Sequence, residues 1–331
     1  MSDFETIEIG VVAYQSAQES AVLGLTDLLR VAGRIAASHM NSGIAPFRLT
    51  HWRMSSPFSL PGRVFDTAPS SDVALAAVIL PPTLEPPIES SAAQPWSHWL
   101  RECHADGAIL GSVCAGAFLL AESGLLCKRK ATTHWAYAEQ FQQRFPDVYL
   151  DTDQLVIDDG DIITAGGAMA WTDMGLRLID RFLGPSVMIE TAQMLLIDPP
   201  GREQRYYSVF SPRLTHGDGA ILRVQHWLQA TAAKDISLSD LAARAHLGER
   251  TFLRRFQKAT GMTTMEYCQR LRIGNARRLL QFSVMPIERV AWDVGYSDPK
   301  AFRKVFQRIV GLSPGDYRSR FSPLRSASGP G

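Results

Sequence analysis

Hydrophobic and polar residues follow two different patterns along the 331-residue chain. Before residue 198, short apolar runs rich in β-branched residues alternate with longer stretches whose apolar residues recur every three or four positions. The short runs are typical of buried strands, and the longer stretches are typical of amphipathic helices. The predicted strands cover 8–14, 47–53, 76–80, 108–113, 154–157 and 161–164, and the predicted helices cover 19–38, 92–105 and 169–182.

Strands that alternate with helices predict a mainly parallel sheet with helices on both faces. We therefore expect a doubly wound, flavodoxin-like α/β domain over residues 1–197. Residues 198–217 are rich in Pro, Gly, Arg and Tyr and predict a linker, whereas the small polar residues of 322–331 predict a disordered tail.

One helical pattern occurs twice in the last third of the chain, over residues 238–267 and 286–317. Each copy predicts a helix, a tight turn and a second helix. Phe252 and Phe256 recur as Phe302 and Phe306, and their i,i+4 spacing turns both rings of each pair to one buried side. The residues that then face outward are mostly basic: Arg250, Arg254, Arg255 and Lys258 in the first copy, and Lys300, Arg303, Lys304 and Arg308 in the second.

A helix with one apolar edge and one cationic edge suits the recognition helix of a helix-turn-helix, which reaches base edges in the major groove. Either copy alone would also fit an ordinary solvated helix, but two copies in register favour DNA binding. Charge points the same way, although the whole chain has 34 basic and 33 acidic residues. Residues 218–331 hold 19 Lys and Arg against 9 Asp and Glu, and residues 1–217 hold 15 against 24. Only the basic part is therefore expected to contact phosphate.

The two predicted turns differ at one position. The second copy has Gly295 where a positive φ is expected, and the first copy has His246 at the matching place. A residue other than glycine adopts this left-handed conformation at some cost in free energy. We therefore expect local backbone strain at His246.

The segments LAARAHLGERTFLRRFQKATG and IERVAWDVGYSDPKAFRKVFQRIVGLSPGDYR resemble the AraC/XylS family of bacterial transcription regulators. The resemblance covers residues 218–321 and implies an all-α domain of about seven helices, in which a long helix over residues 265–281 joins two recognition helices. It implies that these enter successive major-groove segments on one face of double-stranded DNA. The DNA-binding residues it indicates are Arg250, Thr251, Arg254, Arg255, Lys300, Arg303 and Lys304.

A second candidate site lies where the predicted strand 108–113 meets a helix. Cys114 follows the strand, and the small residues Ala115 and Gly116 begin the helix. Hydrolases use such a strand–nucleophile–helix turn to expose a Ser or Cys nucleophile, and amides at a helix N-terminus favour a thiolate. A Cys at a strand end is also often a small buried hydrophobic side chain, so both interpretations stay open.

The segments SVCAGAFLLAESGLLCKRKATTHW and ITAGGAMAWTDMGLRLIDRFLG resemble the ThiJ/PfpI, or class I glutamine-amidotransferase-like, family. They are most similar to its GlxA-like branch, in which this domain precedes an AraC-type module. Enzymes of the superfamily pair the Cys with an acid from the turn after the first strand and often with a His. Here that acid position falls on Ala21, with Glu19 and Asp27 nearby. The resemblance therefore implies no catalytic residues, and a ligand pocket at Cys114, Ala115 and His134.

These observations predict a ligand-responsive transcription regulator rather than an enzyme. Its acidic domain would sense a small metabolite, and its basic domain would bind promoter half-sites as part of a homodimer. Superfamily relatives that sense arginine, carnitine or betaine imply an amino or quaternary-ammonium effector. One alternative is an active cysteine-dependent enzyme of the hydratase, amidase or glyoxalase type fused to a DNA-binding domain. Ala21 at the acid position, and Ala115 where some relatives of the superfamily have His, disfavour it. Another is a structural nucleoid protein, which Thr, Arg and Lys at base-reading positions disfavour.

The remaining composition narrows the cofactors and the location. The four cysteines and eight histidines show no metal-ligand spacing, so we expect no metal and no cofactor. The chain has no apolar run of the length that a membrane span requires, and its acidic start differs from a signal peptide. Unpaired cysteines suit a reducing compartment, which predicts a cytoplasmic protein.

Overall fold

The computed structural model describes residues 6–41, 43–56, 59–69, 73–199, 201–234 and 236–323. The chain divides into two compact units, Met1–Gln204 and Arg205–Gly331. The tail predicted to be disordered lies outside the described residues from 324 onward, as do the acidic residues 1–5.

The first unit contains a mixed sheet with a parallel centre. Its strands are β1 (Ile7–Val12), β2 (Phe47–Arg53), β3 (Gly62–Asp66), β4 (Leu75–Leu80), β5 (Ile109–Val113), β6 (Lys130–Ala131), β7 (Tyr149–Leu150), β8 (Val156–Asp158) and β9 (Ile162–Ala165). Among the described residues, seven of them form the sheet β3-β2-β1-β4-β5-β9-β8, and β6 and β7 pair separately. The five inner strands are parallel, whereas β3 and β8 pair antiparallel at the edges. Numbered along the chain, the parallel strands have the flavodoxin order 2-1-3-4-5, which confirms the predicted fold class.

Helices cover both faces of this sheet. They are α1 (Glu19–His39), α2 (Ser90–Ala105), α3 (Gly116–Glu122), α4 (Ala138–Arg144), α5 (Trp171–Leu183) and α6 (Pro185–Met194). Ile79 of β4 belongs to the core that α1 and α5 cover, and its neighbour Leu80 belongs to the core beneath α2 and α3. This alternation follows from the period of two in a strand, which sends successive side chains to opposite faces.

The sequence pattern missed β3, because its side chains are mostly exposed and lack an apolar alternation. Buried charge fixes this edge strand instead. Arg48 of β2 is fully buried, and its guanidinium lies 2.6 Å from Asp66 of β3 and 3.1 Å from the buried carboxylate of Glu8 in β1. Buried charges are tolerated where they are paired and hydrogen-bonded, so this network ties β3 to the sheet.

The second unit is all-α. Its helices are α7 (Gly219–Ala230), α8 (Leu238–Ala245), α9 (Glu249–Thr260), α10 (Thr264–Phe282), α11 (Ile287–Asp293), α12 (Pro299–Val310) and α13 (Pro314–Phe321). These seven described helices and the long α10 confirm the predicted domain. A side chain caps the start of most of them by accepting a backbone N–H, at Asp218, Ser237, Thr263, Asp298 and Ser313.

The two copies of the repeated pattern build two separate cores. Phe252 and Phe256 are buried with residues of α7 and α8, and Phe302 and Phe306 are buried with residues of α11 and α13. Helix α10 contributes to both, because Tyr267 and Cys268 near its start join the first core, whereas Ile273, Ala276 and Leu280 join the second. The two helix-turn-helix motifs therefore share one continuous wall.

Candidate DNA-contact face and ligand cleft

Helices α9 and α12 present the cationic faces that the repeat predicted. Their Phe pairs are fully buried, which turns the opposite side of each helix to solvent. Six of the predicted DNA-binding residues are exposed there: Arg250, Thr251, Arg254, Lys300, Arg303 and Lys304. Arg303 also forms an ion pair with Glu288 of α11, in which both side chains are about half exposed. Solvent screens such a pair strongly, so it leaves Arg303 available to another anion.

The turns that orient these helices have the same conformation in both copies. His246 has φ 55° and ψ 43°, and Gly295 has φ 86°. The residues after them donate matching bonds, from Leu247 N to Ala242 O at 3.0 Å and from Tyr296 N to Ala291 O at 2.9 Å. His246 therefore adopts the left-handed conformation without being a glycine, which is the source of the expected backbone strain.

Arg255, the seventh predicted DNA-binding residue, forms an ion pair within the second unit. Its guanidinium forms two hydrogen bonds to the Asp218 carboxylate, of 2.9 and 2.7 Å. Asp218 in turn caps α7 by accepting the N–H of Ile221 at 3.2 Å. The Arg255 side chain thus joins α9 to α7, and its contact with DNA stays a prediction. The repeat already indicated that Arg255 differs from the other basic residues of this face, because the matching position in α12 is the apolar Val305.

Leu253 is a residue of the exposed face that the sequence reasoning missed. It lies on α9 next to Arg254, is 41 % exposed, and matches Arg303 of α12 in the repeat. An apolar side chain on a recognition helix can contact the methyl group of thymine. The basic pattern used to find the face could not reveal such a residue.

The predicted nucleophile turn is present at Cys114, but the thiol is buried. Cys114 has φ 54° between β5 and α3, and its N–H donates to Ala165 O at 2.7 Å. A Cβ on Gly116 would lie 2.5 Å from Leu80 O, so only glycine permits this close approach. Cys114 and Ala115 are 3 % and 1 % exposed. Burial raises the pKa of the Cys114 thiol to about 11, although a hydrogen bond from the Ala115 backbone acts in the opposite direction. Burial thus favours the protonated thiol over the thiolate, which agrees with the interpretation of Cys114 as a small buried side chain.

His134 and Ala21, the other two residues considered for chemistry at this thiol, both occupy structural positions. His134 Nδ1 accepts the Ala136 N–H at 3.1 Å and so caps the short 3-10 helix Trp135–Tyr137. Burial lowers the pKa of His134, which favours its neutral form. Ala21, at the position of the superfamily acid, is fully buried within α1.

An open cleft of about 900 Å³ lies at the carboxyl ends of β1 and β2. Its lining combines the residues after these strands with the first turns of α1 and α2. Ligands of doubly wound folds bind at this edge of the sheet. The described residues that line the cleft do not include Cys114, Ala115 or His134. The polar and aromatic lining includes Tyr14, Gln15, Ser16, Glu19, His51, Arg53 and Trp96.

His51 lines this cleft, and its ring is hydrogen-bonded to Thr26. The Thr26 hydroxyl donates to Val22 O at 2.9 Å, so its oxygen accepts from His51 Nε2 at 2.7 Å. Burial and the charges of Arg30 and Arg53 lower the pKa of His51, which favours the neutral ring. A neutral ring with its proton on Nε2 has an unprotonated Nδ1.

Two opposite charges also line the cleft. Glu19 and Arg53 are exposed, and neither side chain has an ion-pair partner among the residues that the structure describes. Ser16 between β1 and α1 has φ 66°, a left-handed conformation that is uncommon for residues other than glycine. The cleft therefore holds a free carboxylate, a free guanidinium and a strained turn.

In the described part of the chain, no group of three or more His, Cys, Asp or Glu side chains is arranged to hold a metal ion. None of the described helices is both long and apolar enough to cross a bilayer.

Comparison with known proteins agrees with the two-unit architecture. Residues 241–320 match the helix-turn-helix domain family, and residues 69–181 match the DJ-1/PfpI family. The first unit thus has the DJ-1/PfpI fold, and the second is a DNA-binding domain of the AraC type.

Relatives that combine both domains cover much of the chain. It is 30 % identical over 224 residues to the HTH-type transcriptional regulator GlxA of Rhizobium meliloti, which is 67 % of this chain and 68 % of that protein. It is 27 % identical over 223 residues to the HTH-type transcriptional regulator CdhR of Pseudomonas aeruginosa, which is 67 % of this chain and 66 % of the relative. An AraC family transcriptional regulator from Pseudomonas putida, of known structure, is 16 % identical, covers 57 % of this chain and 99 % of its own, and has a TM-score of 0.44. The chain belongs to the GlxA-like family of AraC-type transcription regulators, which bind DNA and carry a DJ-1/PfpI-like sensing domain.

Proposed function

We propose that the first unit is a non-catalytic sensor whose effector is a small amino or quaternary-ammonium metabolite. The observation that carries this proposal is the cleft at the carboxyl ends of β1 and β2, with Glu19 and Arg53 unpaired in its lining. We place the ligand there rather than at Cys114, Ala115 and His134, because the first two are buried and His134 caps a helix.

The chemistry of the lining fits a ligand with a cationic group. The Glu19 carboxylate can pair with an ammonium group, and the faces of Tyr14 and Trp96 can attract one that carries methyl groups. Arg53 can hold a carboxylate through two parallel hydrogen bonds. A compact molecule with both charges would therefore pair with both side chains.

The absence of turnover follows from the groups around Cys114. A nucleophilic Cys needs a base and an acid to activate and orient it. A thiol with a pKa of about 11 is almost fully protonated near neutral pH. His134 is engaged as a helix cap, and Ala21 supplies no acid.

We further propose that Arg250, Thr251, Arg254, Lys300, Arg303 and Lys304 contact double-stranded DNA in promoter half-sites, and that two copies of the chain bind as a homodimer. Their exposure on two matching helices supports the first part, and the prevalence of two-fold symmetric binding to paired half-sites supports the second. We also propose a cytoplasmic location, which suits four free cysteines.

The sensor proposal is tested by thermal shift of the full chain with standard amino acids and their N-trimethylated counterparts. We expect at least one compound to raise the melting temperature without being consumed. Glu19→Gln and Arg53→Gln should weaken its binding about tenfold or more, since each removes one charge-assisted contact. The matched controls Glu85→Gln and Arg34→Gln change exposed charges outside the cleft and should bind normally. Cys114→Ser should also keep the shift, whereas consumption of the compound that disappears in Cys114→Ser would establish an enzyme instead.

A further inference from the structure

The segment after α6 ends the first unit with a buried glutamine. Gln204 is 2 % exposed and fills a socket of backbone groups. Its Nε2 donates to Thr133 O at 3.0 Å and to Thr152 O at 2.9 Å, and its Oε1 accepts the Trp135 N–H at 2.9 Å. Both ends of the amide are thus satisfied inside the first unit.

This socket is adjacent to the Cys114 turn. The Thr133 hydroxyl donates to Cys114 O at 2.7 Å, while the Thr133 carbonyl accepts from Gln204. Gly166, directly after β9, forms another wall, because a Cβ there would lie 2.5 Å from Gln204 Nε2. A displacement of the carboxyl end of β5 would therefore be transmitted to Gln204 through Thr133, and a displacement of the carboxyl end of β9 through Gly166.

The residues that follow are held just as firmly by the second unit. Arg277 of α10 is 7 % exposed, and its guanidinium donates to the carbonyls of Arg205, at 2.7 Å, and Ser208. Phe210 packs edge-on against Tyr267, near the start of the same helix, with ring centroids 5.3 Å apart. Helix α10 is the wall that both helix-turn-helix motifs share, so its anchor acts on both.

We propose that residues 204–208 are a coupling strap that transmits the state of the first unit to α10. Gln204 is its positioning residue on one side, and Arg277 holds it on the other. The two anchors are consecutive in the chain, because Gln204 ends one unit, Arg205 begins the next, and the 3-10 helix Gln204–Tyr206 spans the boundary. A shift of the socket therefore displaces the carbonyls that Arg277 holds.

The proposal deepens the ligand response described above, but its test needs only DNA. Coupling between two sites is reciprocal, so DNA bound to the second unit must alter the Gln204 socket. The Trp135 amide reports on this directly, because it donates to Gln204 Oε1.

Hydrogen exchange of the full chain is measured with and without a duplex selected by the wild-type protein from a random-sequence pool. We expect DNA to change exchange at Trp135 about fivefold or more in the wild type. A Gly-Ser-Gly-Ser insertion between Gln204 and Arg205 keeps both anchors but slackens the strap. It should abolish the DNA-dependent change while leaving exchange without DNA as in the wild type.

Two substitutions complete the test. Gln204→Ala empties the socket, and Gly166→Ala fills it with a methyl group, so both should remove the DNA-dependent change while DNA affinity stays within about twofold. The matched controls Gln193→Ala and Gly62→Ala alter an exposed side chain and an open glycine and should behave as the wild type. DNA binding without any change at Trp135, or a change that survives the insertion, would overturn the strap alone. Failure of the wild type to bind any duplex would contradict the DNA-contact face as well.

Discussion

His246 and Gly295 occupy the same turn position in two motifs of one chain. Both residues adopt the left-handed conformation, with φ 55° and 86°. A side chain in this region brings its Cβ close to the backbone, which costs about 1–2 kcal/mol for most residues. The first motif bears this cost and the second avoids it.

The pair predicts opposite effects of substitution on the stability of residues 205–331. His246→Gly should raise the free energy of unfolding by about 0.5–1 kcal/mol, because relief of strain exceeds the added entropy of the unfolded chain. Gly295→Ala should lower it by about 1–2 kcal/mol. Urea unfolding followed by tryptophan fluorescence measures both.

A third glycine serves as the control for this pair. Gly274 lies within α10 with open space around it and no positive φ. Gly274→Ala should therefore stabilise the unit by about 0.5–1 kcal/mol through helix propensity. Equal destabilisation by Gly274→Ala and Gly295→Ala would show that the turn conformation is not responsible.

Some features of individual residues could be predicted from the sequence and others could not. The conformation of His246 could be predicted, because the repeat aligns it with a glycine. The role of Arg255 could have been doubted, since its repeat partner is Val305. Its actual partner Asp218 lies 37 positions away in the sequence, and no local periodicity reports a pairing over that distance.

Helices α9 and α12 differ in what their exposed faces offer to DNA. Helix α9 combines Arg250, Thr251 and Arg254 with the apolar Leu253, whereas α12 has Lys300, Arg303 and Lys304. Arginine can contact guanine through two hydrogen bonds, and lysine acts more as a point charge. The first helix is therefore expected to contribute more to sequence preference.

Substitutions on these two helices should separate base contacts from phosphate contacts. Arg254→Ala or Lys304→Ala should cost about 1–3 kcal/mol at the selected site and relax preference at one base position. Lys258→Ala should weaken selected and random duplexes alike, because a phosphate contact carries no base information. Competition binding with the selected and the random duplex measures the ratio of the two affinities. An unchanged ratio for Arg254→Ala would place the recognition face elsewhere.

Elements with strong periodicity were predictable, and elements fixed by tertiary contacts were not. The inner strands and long helices appear within a few residues of their predicted bounds, because their apolar faces are buried. Strand β3 was missed because buried Arg48 and Asp66 hold it rather than an apolar face. The candidate ligand cleft was also missed, since His51 and Glu19 come together only when β2 packs beside β1.

Across the whole molecule, charge is divided between the two units. Residues 205–331 have 21 basic against 9 acidic residues, whereas residues 1–204 have 13 basic against 24 acidic residues. Each unit also has its own buried cores. The second unit therefore has what it needs to fold and to attract DNA without the first.

Residues 205–331 alone should bind duplex DNA, and residues 1–204 should not. If about six phosphates are contacted, affinity should fall about a thousandfold between about 50 and about 200 mM salt, through counterion release. Fluorescence anisotropy with a labelled duplex measures the dependence. Binding that is insensitive to salt, or that requires the acidic unit, would contradict this division of roles.

The continuity of α10 limits which promoters this protein can use. Its 19 residues give a rod of about 28 Å between the two motifs. Inserting one base pair between the two major-groove segments that one copy contacts rotates one segment relative to the other by about 34–36°, because a DNA turn holds about 10–10.5 base pairs. An unbroken helix with core residues at both ends cannot follow that rotation. The spacing of these two segments is thus constrained in helical phase as well as in sequence. Insertions or deletions of bases between them should therefore be selected against in the promoters that this regulator controls.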